Sequence, residues 1–414
     1  MVSRPAADQA RLCLAAFLRS LGVGMTGVLL GIYLGSIGWR IGRVGLLVTV
    51  GLAGGAAGTL AISLFAERFG RRRTLVALGL LTTLGAAALA ATRRPALLLV
   101  CAFVGMLNGL GRDRGPAYAL EQALLPETTA PERRTYVLAW YGLILDAGLA
   151  LGSLLAALPV VLRERWSWES HAAYQAAWLL AAALPLASVA LYLTLSSQVE
   201  VAHYPMESGV APRPLTPRIT QESKHRIAKL AALTGMDSLG GGFLTSALVS
   251  YWFFQRFGVG EEWLGPLFFG VRLANAASHL VAAWLARRIG LMNTMVFTHI
   301  PSSLFLIAVP FAPSLGLAAV LFLAREALVE MDVPTRQSFI LAVVRPEERA
   351  FASGMTTLTR NVAYAAAPVG AGYAMSGLAL ASPLFLGAGT KIAYDLLLYS
   401  SFRHLKPPEE SASG

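Results

Sequence analysis

Apolar residues run along this chain in long blocks separated by short clusters of charge, proline and glycine. Val44 to Ala66 carries no charged residue, and neither does Thr74 to Thr92. Each block is about 20 residues, enough at ~1.5 Å per residue to cross roughly 30 Å of hydrocarbon. The link between them, Glu67-Arg68-Phe69-Gly70-Arg71-Arg72-Arg73, is too short for a soluble domain, so the pattern predicts a tight helical hairpin. Gly70 suits the turn that ends the first of the two helices. The same punctuation predicts spans at 12–34, 44–66, 74–92, 95–125, 134–160 and 171–195. A second set follows at 228–254, 263–286, 291–311, 315–344, 351–375 and 380–402. The predicted fold class is therefore an all-α membrane protein with twelve transmembrane helices in two six-helix bundles. The bundles are 1–195 and 228–402, joined by a Pro-, Ser- and charge-rich linker at 196–227 and followed by a tail at 403–414.

The two halves repeat each other. Arg19-Ser20-Leu21-Gly22-Val23-Gly24 aligns with Asp237-Ser238-Leu239-Gly240-Gly241-Gly242, and the match extends to Tyr33 over Tyr251. Ala66-Glu67-Arg68-Phe69-Gly70 falls over Ala286-Arg287-Arg288-Ile289-Gly290, and Pro131-Glu132-Arg133-Arg134 over Pro346-Glu347-Glu348-Arg349. Parallel repeats of apolar helices are an architecture of secondary transporters.

Composition narrows the class further. With 56% hydrophobic and 14% charged residues and a mean hydropathy of +0.59, the chain reads as polytopic. Its net charge of +11 invites a nucleic-acid partner, but the basic residues cluster in alternate loops. That is the positive-inside pattern, so the charge sets topology and no nucleic-acid partner is expected. Arg68, Arg71, Arg72 and Arg73 mark the cytoplasmic side, which places both termini there too. Arg11 leads into an apolar run with no cleavage pattern, so the first helix reads as a signal-anchor. The excess of arginine over lysine points to a GC-rich bacterial genome, and hence to the cytoplasmic (inner) membrane. Cys13 and Cys101 lie in apolar segments and form no disulfide or metal framework. Gly22-x-Gly24-x-x-Gly27 has dinucleotide-site spacing, yet no strand precedes it. It reads as a close-packing helix face, as do Gly51/Gly55 and Gly54/Gly58. Three consecutive glycines, Gly240 to Gly242, predict that the seventh helix bends or opens there. No nucleophile–base set or metal motif is present, so neither an enzyme nor a cofactor nor a metal site is expected.

The Glu67-Arg68-x-Gly70-Arg71-Arg72 run, with Leu75 after it, resembles the loop signature of the major facilitator superfamily between its second and third helices. That signature reads Gly-x-x-x-Asp-Arg-x-Gly-Arg-Arg; here Ser63 stands for the first glycine and Glu67 for the aspartate. With the repeat, the resemblance covers essentially the whole chain. It implies the superfamily fold, with two halves rocking around a central site. Drug-exporting members carry Gly-x-x-x-Gly-Pro in the fifth helix. Gly148 and Gly152 match its glycines without the proline, and the eleventh helix has Ala367-Pro368-Val369-Gly370.

Charged residues inside spans are costly and mark function or structural locks. Lys391 and Asp395 are one helical turn apart and are predicted to lock each other, on a helix that is peripheral in the family. Glu121, beside Glu132, Arg133 and Arg134, resembles the family's cytoplasmic charge relay, which meets the loop arginines. The implied gate set is Glu67, Arg68, Arg71, Arg112 and Glu121. Arg112-Asp113-Arg114, taken as helical, would point in three directions. Asp332 and Arg336 can pair at four apart. Glu326 and Glu330 form a like-charge pair that Arg325 neutralises or that holds a proton. On helices that line the family's cavity, Asp146, Asp237, Arg272 and Arg360 lie nearest mid-membrane, and Arg19 joins them by pseudo-symmetry with Asp237. The implied substrate or coupling set is Arg19, Asp146, Asp237, Arg272, Glu330 and Arg360, with Asn275 and Tyr251. Asp146 and Arg272 reach similar depths, about 18 and about 15 Å from their entry ends, and are predicted to approach each other.

The mixture of signs suits a small polar or anionic organic solute better than a greasy drug. The expected protein is a monomeric, proton-coupled exporter (an antiporter) in the lipid bilayer, coupling through Asp146, Asp237 or Glu330. One alternative is a divalent-metal exporter using Asp146, Asp237, Glu330 and Asp332. Others are a drug or lipophile efflux pump and, outside transport, a membrane scaffold or sensor.

Overall fold

The fold is known from a computed structural model, which describes residues 4–129, 133–200, 221–332, 335, 336, 339, 344 and 348–402. Pro131, Glu132, Pro346, Glu347, the middle of the linker and the tail lie outside the described residues. The described chain is mostly helical. In the first half the helices are α1 (Arg4–Ser36), α2 (Ile41–Phe69), α3 (Arg71–Ala91), α4 (Pro95–Val104), α5 (Pro116–Glu127), α6 (Arg134–Leu155), α7 (Leu158–Trp166) and α8 (Ser170–Leu193). In the second they are α9 (Gln221–Gly242), α10 (Ser246–Phe257), α11 (Glu261–Ile289), α12 (Leu291–Ala308), α13 (Leu315–Val329), α14 (Arg349–Gly377) and α15 (Ser382–Phe402).

Among the described residues six stretches are long and apolar enough to cross a membrane by length and composition. They are Ala7–Ser36, Ile41–Phe69, Arg71–Ala91, Tyr136–Trp166, Ser170–Leu193 and Leu291–Phe311. Two of the other predicted spans are each split into two helices. The span expected at 95–125 is two helices, α4 and α5, with an irregular link between them. The one expected at 228–254 is also two, since α9 ends at Gly242 and α10 starts at Ser246. The glycine triplet thus opens the helix as its composition predicts. α9 begins at Gln221, so the last part of the expected linker is helical.

The chain divides into two compact units. One gathers the first six spans together with Thr245–Arg272 and Pro368–Ser376; the other takes, among the described residues, 221–244, Leu273–Ala367 and 377–402. The division falls within the interrupted seventh span and inside α11 and α14.

In the first unit α1 is the central helix, packed on α6, α8 and α10. Small residues let these backbones touch. A Cβ added at Gly24 would lie 2.3 Å from the Leu149 carbonyl oxygen, and one at Gly31 would lie 1.9 Å from that of Ala247. The dinucleotide-like glycines are therefore packing surface. Gly51 and Gly54 do the same for α2 against Leu107 and Phe103, whereas Gly55 faces open space. In the second unit α12 packs on α13 and α15, and α15 packs on α9. Leu64, Leu84, Val100, Leu179, Phe297 and Val362 are all exposed, the lipid-facing surface expected of a membrane bundle.

Candidate functional site

The charged loop between α2 and α3 is bolted to its own unit. Gly70 adopts φ +95° and donates its N–H to Ala66 O at 3.0 Å, ending α2 and starting α3 in one residue. Only glycine takes that backbone geometry without a steric penalty. The Glu200 carboxylate accepts from the backbone N–H groups of Arg71 (2.8 Å) and Arg72 (3.2 Å), capping the positive end of α3. The Arg71 guanidinium makes a two-pronged ion pair with Glu127, the last residue of α5, and lies 3.9 Å from Glu67. Arg68 is exposed.

Glu121, expected to meet these arginines, does not reach them. It is fully buried and clasps Arg19 on α1, with Nη1 donating at 2.9 Å and Nη2 at 2.8 Å. The reason is the break after α4. α5 restarts at Pro116, so Glu121 sits early in a new helix facing α1, and Glu127 occupies the end of that helix near the loop. Arg19 Nε also donates to Asp113 Oδ2 at 2.8 Å, where Ser20 Oγ donates at 3.0 Å. Tyr141 and Tyr192 donate their hydroxyls to the two Glu121 oxygens at 2.6 and 2.5 Å. Two carboxylates and a phenol thus engage Arg19, which makes it a buried lock within the unit.

The helical reading of Arg112-Asp113-Arg114 is also corrected, because residues 105–115 form the irregular link. Met106 (φ 52°) and Gly111 (φ 73°) turn the chain, and Asn108 braces it by accepting from Leu110 N and donating to Arg112 O. Asp113 turns inward to Arg19, while Arg114 is exposed. The carbonyls released by the break are taken up by elements from the second half of the chain. Gly109 O accepts from Ala247 N (3.2 Å), Leu110 O from Ser246 Oγ (3.1 Å) and Gly111 O from Arg272 Nη2 (2.6 Å). One interrupted span is therefore docked on the start of α10, the continuation of the other. Arg272 is seated there, while the approach of half-buried Asp146 to it stays a proposal. Tyr251 packs its ring against Gly35 of α1.

The second unit holds the other charged cluster. Asp237 on α9 receives Lys391 Nζ on Oδ1 at 2.7 Å and Arg336 Nη1 on Oδ2 at 2.6 Å. Arg336 also pairs with Asp332 at 2.6 Å, the four-apart pair read from the sequence. Lys391 Nζ lies 3.1 Å from His299 Nε2, and His299 Nδ1 lies 3.0 Å from Asp395 Oδ1. All six residues are at most 5% exposed. The expected lock between Lys391 and Asp395 is replaced by bonds to two other helices, because α15 is packed on both α9 and α12. Arg325 pairs with Glu326, Glu330 is buried at the end of α13, and Arg360 Nε donates to Ser238 Oγ at 3.2 Å. Asn275 is buried on α11. His299 was missed by the sequence reading. Its signal was a lone histidine in a span without any Asp, Glu, Lys or Arg.

Asp237, His299 and Asp332 bring ligand atoms within 4.8 Å of one another, a metal-like trio. Both Asp237 oxygens already face cations, however, and Arg336 stands between the carboxylates. A divalent ion would add charge where ammonium and guanidinium already supply it, so the donor set does not fit one.

The sequence matches the Major Facilitator Superfamily profile over residues 12–409. The chain belongs to the major facilitator superfamily. An uncharacterised membrane protein of Saccharomyces cerevisiae is 26% identical over 413 residues, covering 94% of this chain and 92% of the relative. The nucleoside transporter NupG superposes with a TM-score of 0.76 at 12% identity, over 95% of this chain and all of the other. A D-xylose–proton symporter superposes at 0.71 and 14% identity, over 96% and 98%. These likenesses show the fold, an all-α multi-pass membrane transporter fold.

Proposed function

We propose that this superfamily member is an alternating-access secondary transporter for a small polar or anionic organic solute, coupled to protons and working as an exporter. The observation that carries the reading is the meeting of the two interrupted spans at Arg272. Interrupted helices offer backbone carbonyls and helix ends to a solute inside the membrane, and a membrane tolerates such backbone only where protein or an aqueous cavity satisfies it. Arg272 and Arg112 at this meeting favour a solute with acceptor oxygens. The names of two solved neighbours, a nucleoside transporter and a xylose–proton symporter, support a polar solute and proton coupling. The reading includes a monomer of two six-helix bundles, both termini on the side of the α2–α3 loop, and no catalytic activity. The residues set for solute or coupling are Asp146, Asp237, Arg272, Glu330, Arg360, Asn275 and Tyr251. Arg71 and Glu67 hold the inner gate.

The test is flux through purified full-length protein in proteoliposomes. Labelled nucleosides, sugars and organic anions are offered with and without an imposed pH gradient. Flux of at least one class, accelerated by the gradient, is expected. No flux of any class would instead favour a membrane scaffold or sensor.

A further inference from the structure

The buried cluster of the second unit carries one acid too many. Asp237, Asp332 and Asp395 are three carboxylates, and the cations bonded among them are Arg336 and Lys391. The bonds show where the surplus lies. Asp237 is met by a cation on each oxygen, and Asp332 shares Arg336. Asp395 is fully buried, its Oδ1 lies 3.0 Å from His299 Nδ1, and its Oδ2 has no hydrogen-bond partner among the described residues. An ammonium has only donors, so His299 Nε2 accepts from Lys391, and the ring's one proton lies on Nδ1, donated to Asp395 Oδ1. Among the described residues Asp395 Oδ2 is a buried carboxylate oxygen open to a proton.

We propose that Asp395 is the exchangeable-proton site of this protein, taking the proton at Oδ2, and that His299 and Lys391 relay its state to Asp237. The inference rests on the proton-coupled reading above and gives that reading a residue. Uptake turns the Asp395 carboxylate into a carboxylic acid and brings the charge of the five groups to zero; release restores one buried negative charge. With Asp395 ionised, its Oδ1 accepts from His299 Nδ1 and holds the ring with Nε2 toward Lys391. With Asp395 protonated that hold weakens, and Lys391 turns wholly to Asp237. Lys391 also packs on α9 at Gly240, where a Cβ would lie 3.1 Å from its Cγ, beside the end of the helix at Gly242. The proton thereby acts on the helix that opens there. Other groups facing the cluster are Tyr394 on α15, whose ring lies 6.0 Å from that of His299, Glu330 on α13 near Asp332, and Tyr364 on α14 near Arg336. Arg325 and Glu326 of α13 pair with each other.

The site moves the coupling proton away from Asp237, where the sequence placed it. A doubly paired carboxylate gives up two ion pairs to accept a proton, whereas Asp395 gives up none.

The experiment is pH-difference infrared spectroscopy on the purified full-length chain in nanodiscs, with no solute added. A carbonyl band of a protonated carboxylic acid is expected to grow as pH falls, to vanish in Asp395→Asn and to persist in Asp237→Asn. In His299→Gln its midpoint is expected to shift. Spectra of Asp395→Asn that superpose on the wild type overturn the proposal. If the Asn variant does not fold, an unmoved midpoint in His299→Gln overturns it instead. Because no solute is needed, failure of the site is read separately from failure of the transporter reading, which shows as absent flux in proteoliposomes.

Discussion

Lys391 places its ammonium 2.7 Å from Asp237 Oδ1 and 3.1 Å from His299 Nε2, so one side chain of α15 bridges α9 and α12. Residues 154 positions apart are thereby joined inside the second unit. Removing one partner leaves a buried charge exposed to no water, which costs more than the pair itself contributes.

Lys391→Met is accordingly expected to destabilise the protein by about 3–5 kcal/mol. Adding Asp237→Asn should recover part of the loss, since the orphaned charge is then gone. Thermal melting in detergent reads both. A double variant that melts below Lys391→Met would show that the two side chains do not act as a pair.

Arg19 presents a flat fork to Glu121 and a third bond to Asp113, a geometry that lysine cannot copy. Arg19→Lys should lower the melting temperature and the folded yield. The surviving protein should keep its apparent KM for any carried solute. A raised KM at unchanged stability would return Arg19 to the solute site.

Arg71 and Glu127 meet at a half-open surface, with the Glu127 side chain 56% exposed. Such a pair contributes under about 1 kcal/mol to folding. Arg71→Ala should therefore express and melt nearly as wild type while slowing flux. Unimpaired flux in that variant removes the loop from the gate.

Gly31 crosses α10 so closely that a Cβ would sit 1.9 Å from Ala247 O. Gly31→Ala is expected to push α1 and α10 apart and lower the melting temperature. Gly55→Ala on α2, with open space at its Cβ position, should leave it unchanged. Equal effects of the two would mean that α1 and α10 do not depend on this crossing.

Asp146 and Arg272 remain a proposed pair. Exchanging them, Asp146→Arg with Arg272→Asp, should give a protein better folded or more active than either single variant. A double variant no better than the singles rules the contact out.

What the sequence determined by itself is everything that depends on local composition. Runs such as Val44 to Ala66 must leave water wherever they are, and a cluster of arginines at 68 and 71–73 must end them, so helices and turns can be read one segment at a time. The loop signature and the repeat of Arg19-Ser20 in Asp237-Ser238 belong to the same level, as does the opening at Gly240 to Gly242. A similar signal lay in Gly105, Asn108, Gly109, Gly111 and Gly115, and a purely apolar count passed over it. Only the tertiary structure decided which charge meets which. A buried ion takes the partner that packing brings within about 3 Å, and that choice lies between residues about a hundred positions apart, as in Arg19 with Glu121 or Asp237 with Arg336. Sequence spacing therefore suggested Lys391 with Asp395 and Glu121 with the loop, because neighbours along a helix are all that spacing can see. His299 became part of a cluster only once α12, α15 and α9 were packed around it.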